Sequence, residues 1–329
     1  MDSHSSPNQT YKIGILLIDG FALMSYSSVI EPLRAGNLLG KKVLYQVDHI
    51  AAGNEREISS SSSAVIPTNA TMSENKDYDL ILVVAGGDPS SFKDEQTFQW
   101  LRNKARYGAR LGGVSAGPVI LANAGVMKGY RMTVHWEHAA ALSENTPNLL
   151  LERSLYIMDR DRITCAGGVA PLDMMHALQS EIHGPEFARK VSDWFIHTDV
   201  RPSGDPQRSG MIERFGTHHP SIIQTLEIME NHIADPLNLR QLALLSSISP
   251  RQLNRIFIEK IGRSTMSVYR NLRLEKAHNL IQQTVLSLTE IALATGFSSS
   301  AHFSKAFQEK YSSPPSSYRQ DTRSKAQQL

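Results

Sequence analysis

The sequence predicts two domains of different class. Residues 10–200 read as an α/β domain, doubly wound around a mostly parallel sheet, and residues 220–321 as an all-α domain. Three observations carry this reading. Up to about residue 200, short β-branched or apolar runs alternate with segments of helical period, as strands covered by crossover helices do. A stretch rich in Pro and Gly, placed at 201–219, then breaks the periodicity. Beyond it the strand signal disappears, and everything from Ser221 to Tyr318 has helical period.

Strands are expected at Lys12–Ile18, Val43–Ala51, Leu80–Ala85, Ala109–Val114, Arg131–Val134, Leu155–Met158 and Arg162–Ala166. Helices are expected at Leu23–Leu39, Asp94–Tyr107, Pro118–Ala124, Trp136–Glu144, Pro171–Ile182 and Pro185–His197. Pro32 should bend or restart the first helix, because it has no N–H and crowds the preceding turn. The break at Asp199–Thr217 contains Pro202, Gly204, Pro206, Gly210 and Gly216 and reads as a linker. The polar tail after Arg319 should fray.

No apolar run approaches the roughly 18 residues that span a membrane, and the polar start MDSHSSPNQT lacks a signal peptide's apolar core. A cytoplasmic protein with no membrane partner is expected. Cys165 is the only cysteine, which excludes an internal disulfide framework and a cysteine-rich metal cluster; no metal and no cofactor are expected. Its setting, Ile163-Thr164-Cys165-Ala166, is that of a buried strand. The net charge of +2 is uneven: Pro220–Leu329 carries 13 Lys and Arg against 8 Asp and Glu. The basic excess in the helical domain suits a polyanion as partner.

An internal repeat is the most specific feature. Leu239, Leu242, Ala243, Ser247 and Ile248 have the spacing of Leu288, Ile291, Ala292, Gly296 and Phe297, and Leu253 and Phe257 match Phe303 and Phe307 after a one-residue shift. Each copy has the pattern of a helix-turn-helix motif, with an alanine where two helices approach and a tight turn before the second helix. Ser249 before Pro250 should cap one second helix, and Ser298 or Ser299 the other. The amphipathic stretch Val268–Ile281 between the copies would hold them at a fixed separation, placing both second helices in successive major grooves of double-stranded DNA. Arg251, Asn254 and Arg255 on the first second helix are candidate base readers, since Arg grips guanine and Asn adenine bidentately. Ser300, Ala301, His302, Ser304 and Lys305 occupy the same face of the other copy, with fewer long donors. Arg240 and Arg319 are candidate phosphate contacts. Across Ile291-Ala292, Gly296-Phe297, His302–Phe307, Pro314-Pro315 and Tyr318-Arg319, together with Arg273-Leu274, Ala277 and Leu280, the domain resembles the AraC/XylS-type bacterial regulators.

In the α/β domain, Gly113-Val114-Ser115-Ala116-Gly117 follows a strand and precedes a helix, the setting of a nucleophile elbow. An elbow with an inert serine has the same sequence. His135 of His135-Trp136-Glu137-His138 offers a base, and Gly86-Gly87-Asp88 ends another strand, where backbone N–H groups could meet an oxyanion or carboxylate. In an open parallel sheet such strand ends converge on one pocket. With Ala124-Gly125, Gly129, Thr133, and Ala166-Gly167-Gly168 leading into Asp173, these segments resemble the PfpI-like branch of the class I glutamine-amidotransferase-like fold, of flavodoxin-like type. That resemblance implies a cysteine at the elbow and an acidic partner near the first strand. This chain has Ser115 and, at the aligned position, Ser25.

A serine needs an oriented base, so the expectation is a domain that has lost its reactivity and kept its pocket. Ser25, Gly86, Gly87, Asp88, Ser115, Ala116, His135, Trp136 and Glu137 are the candidate ligand residues. The pairing of domains, with Val29–Ala35 and Asp173-Met174-Met175, resembles the amidotransferase-like subgroup of AraC-type regulators, members of which respond to arginine, glycine betaine or carnitine. That resemblance implies a transcription activator in a bacterial cytoplasm, a homodimer that meets RNA polymerase and answers a small nitrogenous effector. Trp136 would face a quaternary amine in a cation–π contact, with Glu137 as counter-charge. The competing class is a serine hydrolase or amidase using Ser115 and His135, fused to a DNA-binding domain.

Overall fold

The computed structural model describes residues 10–53, 55–74, 76–207, 211–284 and 286–319. The chain divides into two units, residues 1–207 and 208–329. In chain order the first unit contains β1 (Tyr11–Leu17), α1 (Leu23–Gly40), β2 (Tyr45–Ala51), β3 (Glu57–Ser59), β4 (Val65–Pro67), β5 (Leu80–Ala85), α2 (Glu95–Arg106), β6 (Arg110–Ser115) and α3 (Gly117–Asn123). It continues with β7 (Arg131–Met132), α4 (Trp136–Asn145), β8 (Leu150–Leu151), β9 (Tyr156–Asp159), β10 (Arg162–Cys165), α5 (Ala170–His183) and α6 (Pro185–Trp194).

Six strands form one sheet in the order β2-β1-β5-β6-β10-β9, and only β9 runs antiparallel to its neighbour. The chain winds outward from β1 to β2 and then returns to lay β5 on the other side of β1. Between β1 and β5 the winding direction therefore reverses, which opens a crevice at the carboxyl ends of these strands. β5, Leu-Ile-Leu-Val-Val-Ala, is buried at every position, as a strand covered on both faces must be. Successive side chains point to opposite faces: Ile15, Leu17, Leu82 and Val84 meet Val29, Leu33, Met174 and Leu178, whereas Leu16, Ile81 and Val83 meet Phe98, Leu101, Ile120 and Leu121.

Several local expectations change. Helix α1 runs unbroken through Pro32, whose carbonyl accepts from Gln179 Nε2 (2.9 Å). β7 is two residues long and pairs with β8, which the sequence did not announce. The hairpin β3–β4 was likewise unforeseen, because it encloses the polar run Ser60–Ser63. Residues 201–207, assigned to the linker by composition, are bonded into the first unit. Leu155 N donates to Ser203 O (2.8 Å), and Gln207 Nε2 donates to Thr133 Oγ1 (3.0 Å) and Ser154 O (2.7 Å). Buried carbonyls and hydroxyls need partners, and this segment supplies them. A short helix, α7 (Met211–Phe215), also forms inside the expected linker.

The second unit continues with α8 (Pro220–Asn231), α9 (Leu239–Leu245), α10 (Pro250–Ile261), α11 (Thr265–Gln283), α12 (Leu288–Ala294) and α13 (Ser300–Tyr311), and its described residues contain no strand. The tail expected to fray lies outside the described residues. Among those described, no helix is long and apolar enough to cross a membrane. Helix pairs α9–α10 and α12–α13 are the two helix-turn-helix motifs. Both turns close with the same bond, Ile248 N to Ala243 O (3.1 Å) and Phe297 N to Ala292 O (2.8 Å). The residues before these donors, Ser247 and Gly296, have φ of 56° and 71°. Capping boxes at Asn238/Gln241, Ser249/Gln252 and Ser287/Glu290 start three of these helices, and Ser299 rather than Ser298 caps α13. Helix α11 spans 19 residues between the motifs. It is fixed to the second turn by Arg273, which donates to Thr295 O (2.8 Å) and Gly296 O (2.6 Å) with its guanidinium over the Phe297 ring.

Candidate functional site

Ser115 ends β6 at φ 61°, a left-handed conformation that costs an L residue about 1–3 kcal/mol, and its flanking glycines explain how the turn closes. A Cβ at Gly113 would lie 2.5 Å from Pro118 N, and one at Gly117 would lie 2.0 Å from Val83 O. The predicted elbow is thus present, with Ser115 8% exposed.

The predicted strand-end segments do converge around it. His135 N donates to Ser115 O (3.5 Å), and a Cβ at Gly167 would meet Ser115 Cβ at 2.7 Å. Gly86 packs on the backbone of Gly20 and Ala22, and the Asp88 carboxylate acts on the His138 ring. Three assignments need correction. Ala116, a candidate ligand residue, donates its N–H to Ala85 O (3.3 Å) and is fully buried, because β6 continues its ladder with β5 to the strand end. Ser25 is 1% exposed inside α1, and its Oγ has no hydrogen-bond partner among the described residues. Trp136 packs against the His135 ring, with centroids 5.2 Å apart, so part of its face is already covered.

His135 is the N-cap of α4, and its Nδ1 accepts from Glu137 N (3.4 Å). An accepting Nδ1 assigns the ring proton to Nε2, the reverse of the tautomer in which a carboxylate orients a catalytic histidine. Burial lowers the pKa of His135, although Glu137 pulls the other way. His138 is pushed down to about 4, mainly by burial and then by His135. No hydrogen bond among the described residues joins Ser115 Oγ to either ring. A further acid of this unit is Asp173 on α5. It is fully buried and accepts from His197 Nε2 (2.8 Å), Arg201 N (2.9 Å) and Arg201 Nη2 (2.7 Å). Cys165 is buried in β10 as expected, and burial pushes its thiol up to about 12, far from a reactive thiolate.

A cavity of about 530 Å³ opens at the crevice between β1 and β5. Of the predicted ligand residues it takes in Gly86 and Asp88. It adds Asp19, Glu55 and Glu57, with Phe92, Ile18 and Ile120 as apolar lining and no Lys or Arg among its lining residues. Sequence reasoning missed Glu55 and Glu57 because hairpin β3–β4 brings them in, whereas Asp19 follows β1 directly. Gly20 N donates to Ser59 O (2.9 Å) and Ser59 N to Asp19 Oδ1 (3.2 Å), contacts about 40 residues apart that leave no motif.

On the second unit, Arg251 and Arg255 stand exposed on α10, and no ion pair among the described residues holds either. Asn254 does not face outward with them: its Oδ1 accepts from Thr265 N (3.1 Å) at the start of α11, a structural bond that turns the amide oxygen adenine would need toward the protein. On α13, Ala301, His302 and Lys305 are exposed and Ser300 and Ser304 half-buried, while the His302 ring rests edge-on against Phe297. Arg240 is exposed in the first turn of α9. Arg319 differs from expectation, since its Nε and Nη2 atoms are buried.

Comparison with known proteins agrees with both units. Residues 11–181 match the DJ-1/PfpI family and residues 242–321 a helix-turn-helix domain. The chain is 44% identical to the HTH-type transcriptional regulator GlxA of Rhizobium meliloti over 320 residues, covering 97% of this chain and 98% of the relative. It is 36% identical to the HTH-type transcriptional regulator CdhR of Pseudomonas aeruginosa over 301 residues, covering 92% and 89%. Among solved structures, an AraC family transcriptional regulator from Pseudomonas putida superposes with a TM-score of 0.52 at 24% identity, covering 56% of this chain and 99% of the other, a likeness of fold. With both halves matched in order and a relative aligned almost end to end, this chain belongs to the AraC-type helix-turn-helix transcriptional regulators that carry a DJ-1/PfpI domain.

Proposed function

We propose that this DNA-binding regulator is an activator switched by a small nitrogenous metabolite, a cationic amino acid or quaternary amine, held in a catalytically silent first unit. The observation that carries the reading is the cavity at the sheet's switch point, lined by Asp19, Glu55, Glu57 and Asp88 without a lining cation. Its volume lies in the range of small-molecule sites, and four carboxylates around one opening favour a positive head group. Phe92 offers an apolar wall to the rest of the ligand. The same reading makes the protein a homodimer in the bacterial cytoplasm, bound to promoter DNA and in contact with RNA polymerase.

Catalytic silence rests on the atoms around Ser115. Its neighbouring histidine points an accepting Nδ1 at backbone, the N–H of Ala116 is committed to β5, and Asp173 is held by Arg201. A hydroxyl without an aligned base and oxyanion donor is a poor nucleophile. The test is calorimetry of the full chain with a panel of cationic amines, betaines and anionic controls. One class of cation should bind, Glu57→Gln and Asp88→Asn should each weaken it about tenfold, and Ser115→Ala should activate the promoter fully. Fluorophosphonate labelling that Ser115→Ala abolishes, together with loss of activation, would instead establish the hydrolase.

For DNA, Arg255→Ala should cost about 1–3 kcal/mol at the cognate site and relax preference at one base pair. Binding selections on randomised sites check this, and a uniform loss over all sequences would make Arg255 a phosphate contact.

A further inference from the structure

We propose that His135, Glu137 and His138 form a two-histidine, one-carboxylate site for a divalent d-block metal ion. The proposal departs from the sequence expectation of no metal and stands apart from the effector reading above. Its basis is the start of α4. His135 is the N-cap residue and His138 lies three positions on, the spacing at which N-cap and N3 side chains face each other in a capping box. The rings accordingly sit with centroids 5.9 Å apart, and His135 Nδ1 is 3.8 Å from Glu137 Oε2. One donor atom from each of the three residues lies within 4.8 Å of the others.

A second, independent observation concerns His138. The residue is 7% exposed, and its Nδ1 is buried with no hydrogen-bond partner among the described residues. An imidazole nitrogen sealed from water and left without a partner is unfavourable, and a metal ion is a partner that imidazole takes.

Donor atoms around a tetrahedral ion at about 2.0–2.2 Å stand roughly 3.3 Å apart, so the triad must close by about 1.5 Å. His135 and Glu137 are both part-exposed, and closing requires His135 Nδ1 to give up the Glu137 N–H and its ring to turn against Trp136, whereas His138 is held by packing. A helix N-terminus repels cations. Two carboxylates counter it here: Glu137 in the first turn and Asp88, whose charge reaches the His138 ring. Imidazole and carboxylate together select zinc, nickel or copper(II) rather than magnesium or calcium. Three protein ligands leave coordination positions open toward the rim of the sheet.

The test uses the full chain, stripped with chelator and titrated with cobalt(II) and zinc(II). The expected result is one cobalt(II) per chain with visible d–d absorption, displaced by zinc. His135→Asn and Glu137→Gln should each weaken binding about tenfold or more, with the tryptophan-monitored unfolding midpoint of the metal-free protein unchanged. His138→Asn, which could disturb the core, serves as a third arm read only if its fold is retained. Absence of saturable uptake, or uptake that His135→Asn and Glu137→Gln leave unaltered, overturns the proposal.

Discussion

Replacing Asp173 with Asn is expected to lower the stability of the first unit by about 3 kcal/mol, the low end for breaking a buried ion pair. The carboxylate is inaccessible to solvent and accepts four hydrogen bonds, three from Arg201 and one from His197. An amide of the same shape must turn an NH2 group toward donors, which leaves at least one N–H of Arg201, on the backbone or the guanidinium, facing another donor. The low end applies because Arg201 keeps 33% of its side-chain surface in water and regains hydration when released. All three tryptophans, Trp100, Trp136 and Trp194, lie in the first unit, so their fluorescence in urea follows this unit alone. An unchanged midpoint would mean that the segment from His197 to Arg201 is not held through Asp173.

The complementary change is Gly296→Ala, which should cost the second unit about 2–4 kcal/mol and abolish tight DNA binding while leaving the tryptophan transition in place. Two effects add. A φ of 71° strains any residue with a Cβ, and that Cβ would lie 2.5 Å from Pro236 Cδ and 2.7 Å from Ile233 O. Relief would have to move the turn whose carbonyl receives Arg273 Nη2, and with it the seating of α13 against α11. Gel-shift titration with a two-half-site operator would read the loss, and full affinity would show that the turn tolerates the methyl group.

These two positions also illustrate what the sequence disclosed. Gly296 announced its turn, but its counterpart Ser247 has nearly the same backbone angle, so residue type alone did not reveal how closely Pro236 and Ile233 approach Gly296. The sheet was legible because buried parallel strands are short continuous apolar runs, and Leu80–Ala85 is found residue for residue. The elbow was legible because its glycines are demanded by a backbone approach written into five consecutive residues. The cavity's acids were not, since Glu55 and Glu57 reach it through a hairpin of mostly polar residues. Asn254 was misassigned for a related reason. Helical spacing places it on the face of Arg251, and only the path of the chain into α11 shows which donor claims its side chain.

One property of the parallel sheet bears on how this molecule can be observed. Its five parallel strands point their carboxyl ends the same way, so the Asp19 loop, Gly86–Asp88, Ser115 and His135–His138 all gather on one rim. The opposite rim, formed by the connections into β2, β6 and β10, carries none of them and exposes residues such as Val43 (64%) and Tyr107 (82%). A fluorophore or surface tether placed at Tyr107 would therefore sit a full strand length from every group assigned to ligand or metal. Immobilised by that edge, the first unit would present its whole binding rim to solution.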